Sequence, residues 1–109
     1  MSSSVLDAFW QYEDALMSND LDRLDQLFAP DAMRGDAAGI LVGHEAISGF
    51  RRGRGGAPAR TILHVEVIEI DEDCALVIAV TQPATGGRGQ QTQLWDRQGG
   101  QWRVRAAHV

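Results

Sequence analysis

The sequence has one cysteine, no lysine and no long apolar run. The single cysteine, Cys74, cannot form an intramolecular disulfide or a thiolate metal cage. No hydrophobic run approaches the roughly 18 residues that a membrane-spanning helix requires. The first residues lack the basic region and apolar stretch of a secretory signal peptide. From these absences we expect a cytoplasmic protein without a membrane partner.

The charge of the chain is negative, at −5, although all ten basic residues are arginine. A negative balance argues against a nucleic-acid partner, because affinity for the phosphate backbone depends on clustered positive charge. The exclusive use of arginine has two interpretations. Genomic base composition can produce it, and so can a site for planar anions, because guanidinium groups bind carboxylates in a bidentate way. Composition alone does not decide between them.

A length of 109 residues and a hydrophobic fraction of 44% predict a single globular domain over residues 1–109. Helical periodicity comes first and β-rich runs follow, which predicts an α+β fold with N-terminal helices on one face of a curved, mainly antiparallel sheet. The expected helices cover about residues 4–18, 21–28 and 45–52, with Ser3 or Ser4 as the first cap, and the expected strands cover 32–36, 39–42, 59–70, 74–81, 88–97 and 101–109.

The first predicted helix carries a carboxylate inside its apolar arc. Steps of 100° place the following apolar residues on one arc: Val5, Leu6, Phe9, Trp10, Tyr12, Leu16 and Met17. Glu13 falls within that arc, where a carboxylate must be paired, protonated or exposed to a cavity. The alternative is that Glu13 reaches the edge of the helix or pairs with an inward arginine. Tyr12 is either a core residue or a hydrogen-bond donor at a pocket wall.

Two further candidates lie on predicted strands. Arg34, if it faces inward, is a partner for Glu13 or for an anionic ligand; the alternative is a surface residue. The alternation of Trp102, Val104, Ala106 and His108 places His108 on the core face. There it is either an acid, base or hydrogen-bond donor in the concavity, or a satisfied core or interface histidine.

Polar side chains cluster in two other segments. Arg51, Arg54 and Arg60 surround a glycine-rich loop and can form a pocket rim that attracts an anion. Gln91 and Gln93 share one face of a predicted strand, which favours a wet cavity or an intersubunit contact. The three histidines have no metal-ligand spacing, and there is no Walker loop or G-x-S-x-G motif, so we expect neither a metal nor another cofactor.

The combined motifs resemble the AtzH-like family, within the SnoaL-like branch of the nuclear-transport-factor-2-like superfamily. The resemblance rests on Phe9-x-x-Tyr12-Glu13, Arg34, Gly43-x-Glu45-Ala46-Ile47, Phe50-Arg51, Gln91-x-Gln93-x-Trp95 and Trp102-Arg103-Val104 through Val109. It implies a cone of helices wrapped on a curved sheet around a pocket, and it implies dimers. The family includes the oxalurate-catabolism protein HpxZ and an amidohydrolase of carboxylated ureas.

The same resemblance implies that Tyr12 and Arg34 serve the chemistry. Around the substrate we expect the other polar candidates, which are Glu13, Arg51, Arg54, Arg60, Gln91, Gln93 and His108. Gly35 and Gln90 stand where the family usually has tyrosine and arginine, which favours a different small ligand. Three hypotheses follow. The first is a homodimeric pocket protein that binds, or hydrolyses, a small ureido or carboxylate compound. The second is an accessory subunit of an amidase-type enzyme. The third is a ketosteroid-isomerase-like enzyme with Glu13 as base.

Overall fold

The computed structural model describes residues 4–109. In it, three helices pack on one face of a six-stranded sheet. The helices are α1 (Val5–Met17), α2 (Leu21–Leu27) and α3 (His44–Arg54), and the strands are β1 (Phe28–Asp36), β2 (Gly39–Val42), β3 (Arg60–Asp71), β4 (Cys74–Pro83), β5 (Gly89–Gln98) and β6 (Gln101–His108). The strand order is β2-β1-β6-β5-β4-β3. Only β1 and β6 pair in parallel within this described sheet. The predicted α+β architecture is confirmed.

Helix α1 begins at a serine cap and buries a face that differs in part from the predicted one. The Ser4 hydroxyl accepts a hydrogen bond from the Asp7 amide at 3.1 Å; Ser3, the other predicted cap, lies outside the described residues. The buried face includes Glu13, as expected, together with two alanines, Ala8 and Ala15. The prediction was wrong for the large apolar residues Leu6, Trp10 and Met17, which are exposed. Small alanine side chains allow close packing, so the helix presents its alanine side to the core instead.

The core lies between the helices and one face of the sheet. Its largest fully buried apolar side chains are those of Trp95, Phe9, Leu24, Ile47, Val77 and Val104. The last four predicted strands are present as β3 to β6, and they form an antiparallel meander. We call the opposite side of the sheet, which carries Leu76, Ile78, Val80 and Leu94, the outer face. No helix among residues 4–109 is long and apolar enough to cross a membrane.

A β-bulge in β6 overturns the expectation that His108 faces the core. Trp95 pairs with Val104, whereas the next residue of β5, Leu94, pairs with Ala106, so Arg105 is the extra residue. One extra residue reverses the side on which each later side chain lies. Ala107 is therefore buried, and His108 is exposed on the outer face, outside the concavity.

Candidate functional site

A cavity of about 340 Å³ opens between α1, α3 and strands β4 and β5. The chain between α3 and β3 closes one side of it, because Ala57, Pro58 and Ala59 line the wall. The cavity brings together six of the nine predicted site residues: Tyr12, Arg34, Arg51, Arg54, Arg60 and Gln91. Glu13 is next to this cavity, because it contacts two of the lining residues, Arg60 and Gln91. His108 lines a separate cavity on the outer face.

The Glu13 carboxylate is held by two side chains that line the pocket. Arg60 donates from Nη2 to Glu13 Oε1 at 2.6 Å and from Nε to Oε2 at 3.4 Å. Gln91 Nε2 donates to the same Oε1 at 2.9 Å. The carboxylate is thus paired with an inward arginine, and this arginine is Arg60 rather than Arg34. With three donors directed at it, Glu13 is arranged to hold Arg60 and Gln91 in place.

The second glutamine of β5 is a packing residue at the back of the pocket. Gln93 is almost fully buried, and its Oε1 accepts the indole N–H of Trp95 at 3.0 Å. Trp95 in turn lies edge-on to Tyr12, with the ring centres 6.3 Å apart, and the Tyr12 and Phe28 ring centres are 5.9 Å apart. Tyr12 therefore lines the cavity with its ring held in place by these aromatic neighbours.

Arg34 enters the pocket from β1 and is paired with its neighbour on the same strand face. Its Nη1 donates to Asp36 Oδ2 at 2.7 Å, and its side chain is 13% exposed. Asp36 Oδ1 accepts the Ala38 amide at 2.8 Å, which secures the carboxylate at the β1–β2 turn. The Arg34 hydrogen bond holds the pKa of Asp36 below its ordinary value. Arg34 is therefore a positioned cation at one side of the cavity.

Arg51 and Arg54, both from α3, have no carboxylate partner among residues 4–109. Nη1 of Arg51 and Nε of Arg54 are buried without a hydrogen-bond acceptor in this part of the chain. Burial lowers the pKa of both guanidinium groups, and the positive charge of Arg34 lowers that of Arg54 further. An arginine remains protonated even so, which leaves two charges in the pocket without a neutralising carboxylate.

Sequence reasoning missed three residues that organise these arginines. Asp36 pairs with Arg34, and the rings of Phe28 and Phe50 lie beside guanidinium groups. Two of these relations have a sequence signal: Arg34 and Asp36 are two apart on a strand, and Phe50 and Arg54 are four apart on a helix. The contact of Phe28 with Arg51 joins different elements and leaves no local signal. No group of three or more potential metal ligands occurs in residues 4–109.

Comparison with known proteins identifies the family. The family model described as AtzH-like matches residues 1–109. The chain belongs to the AtzH-like family. No curated protein matches the sequence.

Solved structures agree with this assignment. A protein of unknown function of the DUF3225 family from Pectobacterium atrosepticum is 34% identical, with a TM-score of 0.89 over 96% of this chain and 85% of that one. A cystatin-like fold protein from Burkholderia xenovorans is 31% identical, with a TM-score of 0.87 over 95% and 85% of the two chains. A nuclear-transport-factor-2-like protein of unknown function from Pseudomonas putida is 21% identical, with a TM-score of 0.81 over 95% and 81%. This AtzH-like chain therefore has the nuclear-transport-factor-2-like fold.

Proposed function

We propose that the pocket binds a small carboxylate-bearing compound, of which a ureido acid is the favoured class. The observation that carries the proposal is the pair of buried guanidinium nitrogens, Arg51 Nη1 and Arg54 Nε, that have no acceptor in the described chain. A buried donor without a partner is costly, and a buried charge is more so. A ligand carboxylate supplies both the missing acceptors and the missing negative charge.

The other pocket groups suit a ureido compound better than an apolar one. Four arginines, Gln91 and Thr81 line the cavity, so a steroid-like ligand would desolvate them without replacing their hydrogen bonds. The carboxylate of Glu13 already accepts three hydrogen bonds, which leaves little capacity for it to act as the base of an isomerase. These features favour the first of the three hypotheses over the third.

Hydrolysis is the reaction we propose for a ureido ligand. Water adds to the urea carbonyl carbon, and the negative charge that develops on the carbonyl oxygen is stabilised by Arg34. The Tyr12 hydroxyl gives its proton to the leaving nitrogen as the carbon–nitrogen bond breaks, and it regains a proton from the added water. Arg51 and Arg54 hold the substrate carboxylate during both steps. The products are an amine and a carbamic acid, with no other reactant required.

A thermal-shift panel tests binding, and product analysis tests hydrolysis. Ureidoacetate, malonate and a neutral steroid are each titrated against the wild-type protein and Arg34→Ala. A ligand at about 100 times its dissociation constant stabilises the native state by roughly 2.7 kcal/mol, which is easily measured. We expect a shift with the carboxylates that is smaller in Arg34→Ala, because the cation that faces the ureido oxygen, or the second carboxylate of malonate, is gone. We also expect amine release that Tyr12→Phe loses. A shift with the steroid alone would refute the proposal.

We also propose that the outer face joins two copies of the chain. Met33 and Ile40 are exposed there, and with Leu76, Leu94 and His108 they line an open cavity of about 450 Å³. A contiguous apolar patch of this kind marks an interaction surface. Sedimentation should give a dimer for the wild type and a monomer for Ile40→Glu. Persistent co-purification with a larger enzyme would favour the accessory-subunit hypothesis instead.

A further inference from the structure

Two phenylalanine rings lie against the guanidinium groups of the pocket. The Arg51 Cζ atom is 4.1 Å from the centre of the Phe28 ring. Phe50 serves two arginines at once, with its ring centre 4.6 Å from Arg34 Cζ and 5.0 Å from Arg54 Cζ. Distances of this size are within the range of cation–π attraction. The two arginines without a carboxylate therefore each have an aromatic neighbour.

A carboxylate that holds an arginine makes it less available to a ligand, whereas an aromatic ring that holds an arginine leaves it available. Glu13 holds Arg60 by accepting its N–H groups and cancelling its charge. A ring contacts the flat side of the guanidinium, so it restricts the side chain while the N–H groups at the edge and the positive charge stay available. Within one pocket, Arg60 is held in the first way, whereas Arg54 is held in the second.

The position of Phe50 explains how two like charges stay close together. Arg34 comes from β1 and Arg54 from the last turn of α3, and the charge of Arg34 lowers the pKa of Arg54. Arg34 is held by Asp36, so mutual repulsion would drive Arg54 away from it into solvent. Phe50 is one turn before Arg54 on the helix, and its ring attracts both cations. It thereby offsets part of the repulsion that favours separation.

We infer that Phe50 is a positioning residue of the anion site, which keeps Arg54 turned toward the pocket, beside Arg34, without consuming the hydrogen-bond donors of Arg54. This inference rests on the proposed function, because it assigns a role within the same site. The aromatic ring, rather than apolar bulk alone, is what the role requires. A ligand carboxylate then meets an Arg54 guanidinium group that is already ordered, so less conformational entropy is lost on binding.

The test compares variants of Phe50 by calorimetric titration of the full chain with ureidoacetate. Phe50→Leu and Phe50→Met keep an apolar side chain without a ring, and Phe50→Tyr keeps the ring. We expect about tenfold weaker binding in the first two, which lies between the values for an exposed and a desolvated cation–π contact, and affinity within about twofold of wild type in Phe50→Tyr. Unfolding curves establish that each variant is folded at the titration temperature.

A double-mutant cycle separates positioning from a general effect on packing. With Arg54→Met as the background, the additional loss from Phe50→Leu should shrink to less than about threefold, because the cation that the ring positions for the ligand is gone. An equally large loss of affinity from Phe50→Leu in that background would overturn the inference. A loss of affinity in Phe50→Tyr as large as that in Phe50→Leu would also overturn it. If wild type binds ureidoacetate and Phe50→Leu binds it equally well, the inference alone fails. If wild type binds neither ureidoacetate nor malonate, the proposed function fails with it.

Discussion

Replacing Glu13 by glutamine should strongly destabilise the fold, because it leaves the Arg60 charge without its partner. The two side chains are 7% and 15% exposed, and they meet at 2.6 Å. Removing one member of a buried ion pair costs about 3–5 kcal/mol. Arg60 borders the cavity, where water can solvate it, so we expect the lower end of that range, about 3 kcal/mol. In a domain of this size that loss lowers the midpoint of thermal unfolding by about 10–20 °C.

Urea denaturation at neutral pH, followed by circular dichroism, measures this loss directly. Glu66→Gln is the matched control, because Glu66 is 67% exposed and its 2.7 Å contact with His64 lies at the surface. The control should change the free energy of unfolding by less than about 0.5 kcal/mol. The double variant Glu13→Gln/Arg60→Met should recover much of the loss, since no unpaired charge remains. A Glu13→Gln variant as stable as the control would refute this reading of the pair.

The remaining predictions concern two glycines and one carboxylate. Gly49→Ala, within α3 and with no atom within 4 Å of an added Cβ, should stabilise the protein by about 0.4–1 kcal/mol in thermal unfolding. Gly89→Ala should destabilise it by about 1–3 kcal/mol, because its Cβ would lie 2.8 Å from Thr81 Oγ1. The lowered pKa of Asp36 means that its pairing with Arg34 stabilises the fold above the unfolded value of 3.8 and is lost as the pH falls below it. Asp36→Asn should therefore lose less stability than wild type on acidification, in unfolding curves below about pH 4.

The fold was largely predictable from the sequence, because local patterns determine its elements. The β-rich runs predicted the strands over residues 59–70 and 74–81, which form the β3–β4 hairpin, and the two strands that follow them. The face of a strand after a bulge was not predictable, since the extra residue at Arg105 follows from pairing with β5 rather than from any pattern in β6. The exposed position of His108 is the consequence. Trp10 shows that the same is true of helices, because the size and hydrophobicity of a side chain do not reveal which side of the helix packs against the core.

The candidate site was predictable in its membership but not in its pairing. The apolar arc of α1 correctly placed Glu13 inside, and Arg51, Arg54 and Arg60 do border the cavity, the first two from within α3. Which arginine meets Glu13 depends on the approach of β3 to α1, a contact between residues 47 positions apart. The same applies to Arg51, whose aromatic neighbour, Phe28, comes from a different element. Long-range packing therefore decides which cations are neutralised and which remain for a ligand.

The most direct test of the central claim is a calorimetric titration of three proteins with ureidoacetate and its neutral amide. The proteins are wild type, Arg54→Gln and Arg52→Gln; Arg52 lies on the same helix but is paired with Asp25 at 2.7 Å and is half-exposed. We predict that wild type and Arg52→Gln prefer the anion, and that Arg54→Gln loses at least about tenfold in affinity for it, as expected for a charge-assisted hydrogen bond. Equal binding of the anion and the amide by wild type, or unchanged anion binding by Arg54→Gln, would contradict the account.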